Sequence, residues 1–234
     1  MTSAGTRRQL VIAIDGPAGA GKSTIASRLA SKLGYVNLES GAMYRALGLK
    51  AIEQGTDVND ESAMTALAGG SRIELQPTAA GNRVLLDGRD VSQRIRERDV
   101  ADAASRLSVH PAVRAWMVAR QRELGAQGGV VMEGRDIGTV VFPGAEVKIF
   151  LDADPNVRAA RRVLQHNAAD DPARAATLKA ELRERDQRDS TRAVAPLVAA
   201  ADAVHLDSTR LTIEQVIAEA ERIVNQKLAA RNRG

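Results

Sequence analysis

Directly after the apolar run LVIAI, residues 15–24 read DGPAGAGKST. No other stretch limits so narrowly what the chain can fold into. Residues 16–23 follow the pattern G-x-x-x-x-G-K-[ST], whose glycines let the backbone curl until several N–H groups point at one anion. The apolar run before it reads as a strand covered on both faces. Residues 23–33 carry apolar side chains at helical spacing and stop at Gly34, so they read as the helix that follows. That helix adds its positive end to the cradle. Strand, loop and helix in this order predict a phosphate-binding loop made of Gly16, Pro17, Ala18, Gly19, Ala20 and Gly21. Lys22 is expected to reach the β- and γ-phosphates, the Ser23 hydroxyl to hold Mg2+, and Thr24 to lie just behind. The chain is therefore expected to bind a nucleoside triphosphate. The loop alone leaves open a kinase, a GTPase or a motor.

Strand and helix signals alternate along the rest of the chain. YVNLE, GVVMEG, VKIFLD and AVHLD read as further core strands. Helices are expected over 41–54, closed by Gly55, and over 61–68, capped by Asp60. More are expected over 94–107, 111–125 and 155–166, the last opened by Asp154 and Pro155. The break NAADDP precedes another over 173–192, and Thr212 with Gln215 forms a capping box for a last helix to about 228. Such alternation predicts one α/β domain with a parallel five-stranded sheet. Between residues 70 and 93 the pattern changes to short strands, SRIELQPT, GNRVLLDG and RDVS, which predict a small antiparallel insert. Ligands of parallel sheets sit at the carboxyl ends of the strands.

Only 2% of the 234 residues are aromatic, so the core has to be built from Val, Ile, Leu and Ala. The absence of cysteine excludes disulfides and thiolate metal sites. No apolar stretch approaches the roughly 20 residues of a membrane helix. The first ten residues, MTSAGTRRQL, lack an apolar signal core and read as a frayed tail, so a cytoplasmic protein is expected. The three histidines, His110, His166 and His205, belong to no motif.

The net charge of +4 permits an anionic partner, and arginine dominates the basic residues, since only six of 33 are lysine. Position separates the arginines. Arg135 and Asp136 follow the strand that ends at Glu133, where ligands of this fold bind. Arg185, Arg188 and Arg192 fall at i, i+3 and i+7 on one helix face, with Asp189 beside them. Arg158, Arg161 and Arg162 lie on the helix before the NAADDP turn. Arginines on two helices around such a turn describe a lid that closes on phosphates, and Arg161 is assigned to the phosphates of ATP.

The stretches GPAGAGKST, SGAMYR, EGRDIGTVVFPGA, KIFLDA and RDQRDSTRAVAPL together resemble bacterial cytidylate kinases, over nearly the whole chain from about residue 10 to 228. ADAASRLSVHPAVRAWMVARQR continues the match, and the 70–93 insert is similar to the enlarged monophosphate-binding region of those enzymes. The resemblance implies a core over about 10–55, 108–153 and 194–230, a monophosphate-binding insert over 56–107 and a lid over 154–193. It implies that Ser40, Tyr44 and Arg45 surround the acceptor phosphate and sugar. Ser105, Arg114 and Asp136 would read the cytosine edge; Arg185 and Asp189 would lie near the ribose. Arg135 and Arg192 would bind phosphate and, with Lys22 and Arg188, form the catalytic set. Ser105 and Arg114 look like ordinary helix surface without the family. Glu39 and Glu133 stand where some relatives carry aspartate, which changes the reach of any carboxylate holding Mg2+ through water.

The implied reaction is transfer of the γ-phosphoryl group of ATP to CMP and dCMP, with Mg2+ as cofactor. Its acceptor is already an anionic oxygen, so positioning and charge matter more than a strong base. A kinase for another small molecule, such as adenylate, uridylate or shikimate, is the near alternative. A GTPase switch is disfavoured because no N-K-x-D stretch is present, and nucleic-acid binding because the arginines do not interleave with the five aromatics. Neither nucleic acid nor membrane is an expected partner, and the resemblance implies a monomer.

Overall fold

A computed structural model describes residues 9–78 and 81–231. The expected N-terminal tail lies largely outside them. The chain forms β1 (Val11–Asp15), α1 (Lys22–Leu33), β2 (Val36–Glu39), α2 (Ser40–Gln54) and α3 (Glu61–Gly69). There follow β3 (Ile73–Thr78), β4 (Gly81–Leu86), β5 (Arg89–Asp90), α4 (Arg98–Leu107), α5 (Pro111–Gly125) and β6 (Val130–Gly134). β7 (Val147–Asp152), α6 (Pro155–Gln165), α7 (Pro172–Thr191), β8 (Val204–Asp207) and α8 (Ile213–Arg231) complete it.

Five strands make one sheet in the order β2-β6-β1-β7-β8, with every neighbouring pair parallel. β1 lies at its centre and is buried throughout. Its side chains alternate between two apolar cores. Val11 and Ala13 join Met43, Leu47, Leu107 and Met117 on the side of α2, α4 and α5. Ile12 and Ile14 join Leu29, Val216 and Ile223 on the side of α1 and α8. A strand apolar at every position is what two covered faces require. β3, β4 and β5 form the separate antiparallel sheet expected of the insert.

The capping signals act as read. Asp60 Oδ1 accepts from Ala63 N at 3.0 Å, and Asp154 Oδ1 from Asn156 N at 2.8 Å. Thr212 N donates to Gln215 Oε1 at 2.9 Å, and Gln215 N to Thr212 Oγ1 at 3.3 Å. Two stretches differ from expectation. The helix expected over 94–107 is a 3-10 turn, Arg94–Arg96, followed by α4 after an extended Glu97. Ile95 and Val100 are both buried in the same core, on either side of the extended Glu97. Arg94 also reaches forward to Asp99, with Nη1–Oδ1 at 2.8 Å. The second is a single π-helical turn, Ile137–Val141, between β6 and β7, where no regular structure was expected.

Candidate active site

The phosphate loop runs from the end of β1 to the start of α1. Gly16 has φ +149° and passes so close to β7 that a Cβ there would lie 1.9 Å from Leu151 O. No other residue fits. α1 opens without a side-chain cap and without an acidic residue in its first turn. Its first N–H groups and the positive end of its dipole are thus left for an anion. Lys22 is buried and donates from Nζ to Pro17 O at 2.7 Å. Burial, and then the Arg135 charge, pull its pKa down to about 7. An anion in the loop would restore its charge. Thr24 is exposed beside Ser23.

Ser23 Oγ donates to Glu133 Oε1 at 3.0 Å. Glu133 is the penultimate residue of β6, in register with Ile14 of β1 and Glu39 of β2. Burial and the neighbouring Glu133 carboxylate raise the pKa of Glu39. A hydroxyl beside two crowded carboxylates is a hard oxygen donor set, which fits a divalent cation such as Mg2+. Ser40, at the start of α2, donates from Oγ to Glu133 O at 2.8 Å and so ties α2 to the end of β6.

Beyond β6 a charged network fills the far side of the cleft. Arg114 of α5 pairs with Asp136, donates from Nη1 to Ser108 O at 3.2 Å, and sits 5.9 Å over the Tyr44 ring. Burial pushes the Tyr44 hydroxyl up to about 12, so it stays protonated. Arg192 Nη2 lies 3.8 Å from Asp136 Oδ1, and its Nη1 lies 3.9 Å from Asp189 Oδ1. Arg135 Nε donates to Asp189 Oδ2 at 2.7 Å. Asp189 is buried, yet Arg135 and Arg185 draw its pKa below the usual range. Residues from α5, the β6 end and α7 thus meet in one place.

Several donors here have nothing to bond. Arg45 Nε, Ser105 Oγ, Arg185 Nε, and Nε and Nη1 of Arg188 are buried without a hydrogen-bond partner. Burial pulls Arg185 down to about 10, with Arg135 adding to it. Uncompensated buried guanidinium groups cost stability, and a polyanion is what satisfies them. Arg45 Nη2 lies 3.7 Å from Glu39 Oε2, and Arg188 uses Nη2 on Glu184 and Asp102 at 3.2 and 3.4 Å.

The α6 arginines divide. Arg158 Nη1 donates to Ala18 O of the phosphate loop at 3.1 Å and pairs with Asp186 of α7. Arg161 instead donates to Ser208 Oγ and O at 2.9 and 2.7 Å, after β8. One residue to which sequence reasoning gave no role also belongs here. Asp15 accepts on its carboxylate from Ile137 N and Gly138 N at 2.8 and 2.7 Å. Burial pushes its pKa up to about 6, against the pull of those two amides. Its only sequence signal is its position directly before Gly16.

A family model described as cytidylate kinase matches residues 12–226. The chain belongs to the cytidylate kinase family. A cytidylate kinase of Solibacter usitatus is 52% identical over 224 residues, covering 95% of each chain. One of Geobacillus thermodenitrificans is 50% identical, covering 94% of this chain and 99% of the relative. One of Citrobacter koseri is 49% identical, covering 94% and 96%. No helix among the described residues is long and apolar enough to cross a membrane.

Proposed function

We propose that this chain transfers the γ-phosphoryl group of ATP to the 5′-phosphate of CMP and of dCMP. The observation that carries the reading is the meeting of a phosphate loop with buried, partly unsatisfied arginines at the carboxyl ends of β1 and β6. Core, insert and lid divide the labour: residues 10–55, 108–153 and 194–230 hold the donor and most of the acceptor's contacts, 56–107 add Ser105 on the acceptor side, and 154–193 close over both.

Two polyanions have to be brought in line, and their repulsion is the main barrier. Lys22 leaves Pro17 O for the β- and γ-phosphates. Gly16 to Gly21 and the α1 N-terminus wrap them with backbone N–H groups. Ser23, with Glu133 behind it, is the group that would hold Mg2+; the ion supplies charge neutralisation and orientation of the phosphates. Arg135, Arg188 and Arg192 stabilise charge on the transferring group. Arg45, with Ser40 and Tyr44, takes the acceptor phosphate, and Arg185 with Asp189 the ribose. Arg158 supports the loop at Ala18 and holds Asp186, so lid position and loop shape are linked.

Cytosine offers an amino donor at N4 and acceptors at N3 and O2. Asp136 accepts from N4, while Arg114 and Ser105 donate to the other two. Uracil reverses the polarity at positions 3 and 4 and leaves a buried carboxylate facing a carbonyl. The test is ADP release measured with ATP and Mg2+ against CMP, dCMP, UMP, AMP, dTMP and shikimate. Turnover with CMP and dCMP is expected to exceed UMP by on the order of 10²-fold in kcat/KM. Turnover led by another acceptor would remove the base-reading assignment and leave the phosphate loop standing.

A further inference from the structure

Asp15 closes β1 and directly precedes Gly16, the first residue of the phosphate loop. It is paired in register with Gly134, the last residue of β6. Its side chain is only 5% exposed and is spent on neither the loop nor α1. Each oxygen instead takes one of two consecutive backbone amides, Ile137 and Gly138, at the mouth of the π-helical turn. Gly138 permits this approach, since a Cβ there would lie 3.3 Å from Asp15 Oδ2 and 3.2 Å from Lys148 Cδ.

The same turn is held at its far end. Arg122 of α5 donates from Nη2 to Val140 O at 2.7 Å and from Nε to Val141 O at 3.0 Å. Inside it, Asp136 O accepts from Val140 N and Val141 N at 2.9 and 3.1 Å. The backbone of Asp136 is thereby fixed between β6 and a turn pinned at both ends. The side chains on either side of that fixed point are Arg135, bonded to Asp189, and Asp136, bonded to Arg114.

We propose that Asp15 is the positioning residue that sets the Arg135–Asp136 pair against the phosphate loop, so that acceptor and donor share one anchor. The inference rests on the reading of Asp136 as the residue that faces the base. A carboxylate suits the task because it accepts two parallel N–H bonds at once; an amide accepts one and opposes the other with its own donor. Strand pairing and the two apolar cores already hold β1, so the carboxylate is available for this local role.

The experiment compares Asp15→Asn, Asp136→Asn and Gly138→Ala with the parent protein, in steady-state kinetics with CMP and UMP at saturating ATP, with ATP varied at saturating CMP, and in thermal unfolding. Asp15→Asn is expected to raise KM for CMP about tenfold and to lower the CMP-over-UMP ratio of kcat/KM about tenfold, with KM for ATP within about twofold. Gly138→Ala presses on the same contact from the turn side and is expected to move the same ratio in the same direction; it decides the matter if Asp15→Asn does not fold. A ratio that shifts in Asp136→Asn but stays at the parental value in Asp15→Asn or, failing that, in Gly138→Ala overturns the role of Asp15. Equal rises in KM for ATP and CMP also overturn it, since general loosening has no preference between them. An unchanged ratio in Asp136→Asn sinks the base-reading assignment itself.

Discussion

Lys22 is costly to the fold, yet the proposed function gives it the phosphates to hold. It is buried, its pKa lies near 7 instead of 10.5, and it donates a hydrogen bond to the carbonyl of Pro17. Replacement by methionine should leave the unfolding temperature unchanged or raise it, while kcat/KM falls on the order of 10³-fold. Circular dichroism melts with the ADP-release assay check both halves. Asp15 carries a cost of the opposite charge. Its pKa is 3.8 unfolded and about 6 folded, so below about pH 4 both states hold the proton and nothing is lost. As pH rises through the interval between the two values, the unfolded state ionises first, and the native state loses stability. Above about pH 6 the cost is complete, at about 3 kcal/mol. Urea unfolding should therefore show the parent losing about that much relative to Asp15→Asn between about pH 4 and pH 6. A flat difference would contradict the buried carboxylate.

At the scale of elements, α6 and α7 stand apart from the rest. Val163, Ala168 and Leu178 form an apolar cluster of their own, separate from the two cores around the sheet. So small a cluster holds the hairpin with little to spare, which suits the lid role proposed for this segment. Leu178→Ala should cost the hairpin about 2–4 kcal/mol. Limited proteolysis should then cut within residues 166–171 faster than in the parent, while the main urea transition shifts little. Sequence pattern located both helices from local signals, Asp154 with Pro155 before α6 and the NAADDP break before α7, of which Asp171 proves to be the cap of α7. It picked Arg161 for the phosphates, whereas Arg158, three residues earlier on the same helix, is the one that meets the phosphate loop. Which of them meets Ala18 and which meets Ser208 depends on how α6 lies across the ends of β1 and β8.

For the molecule as a whole, arginines that repel one another are gathered near the phosphate loop, and buried nitrogens of Arg45, Arg185 and Arg188 have no hydrogen-bond partner. The substrate is then part of the structural balance. At CMP about 100 times its dissociation constant, binding should add about 2.7 kcal/mol. For a chain of this length that is about 5–10 °C in unfolding temperature. UMP at the same concentration should give a smaller shift, and differential scanning fluorimetry reads both. Chelation by EDTA should abolish turnover and leave the CMP-induced shift largely intact, because Ser23 and Glu133 lie on the donor side.

The sequence by itself determined the phosphate loop, the alternation of strands and helices, the antiparallel insert and most of the caps. All are short-range: glycine spacing, periods of two and 3.6, and a cap with its partner three residues on. Tertiary structure decided what the loop faces. Arg114, Asp136, Asp189 and Arg192 meet only because β6 lies beside β1 and α7 folds back over their ends. Ser105 and Arg114 carry no local mark of a site, and only family resemblance singled them out. Asp15 carried only its place directly before Gly16. An aspartate at the end of a strand becomes significant only when a turn 122 residues later presents two amides to it, and strand order, which no local pattern encodes, is what brings them together.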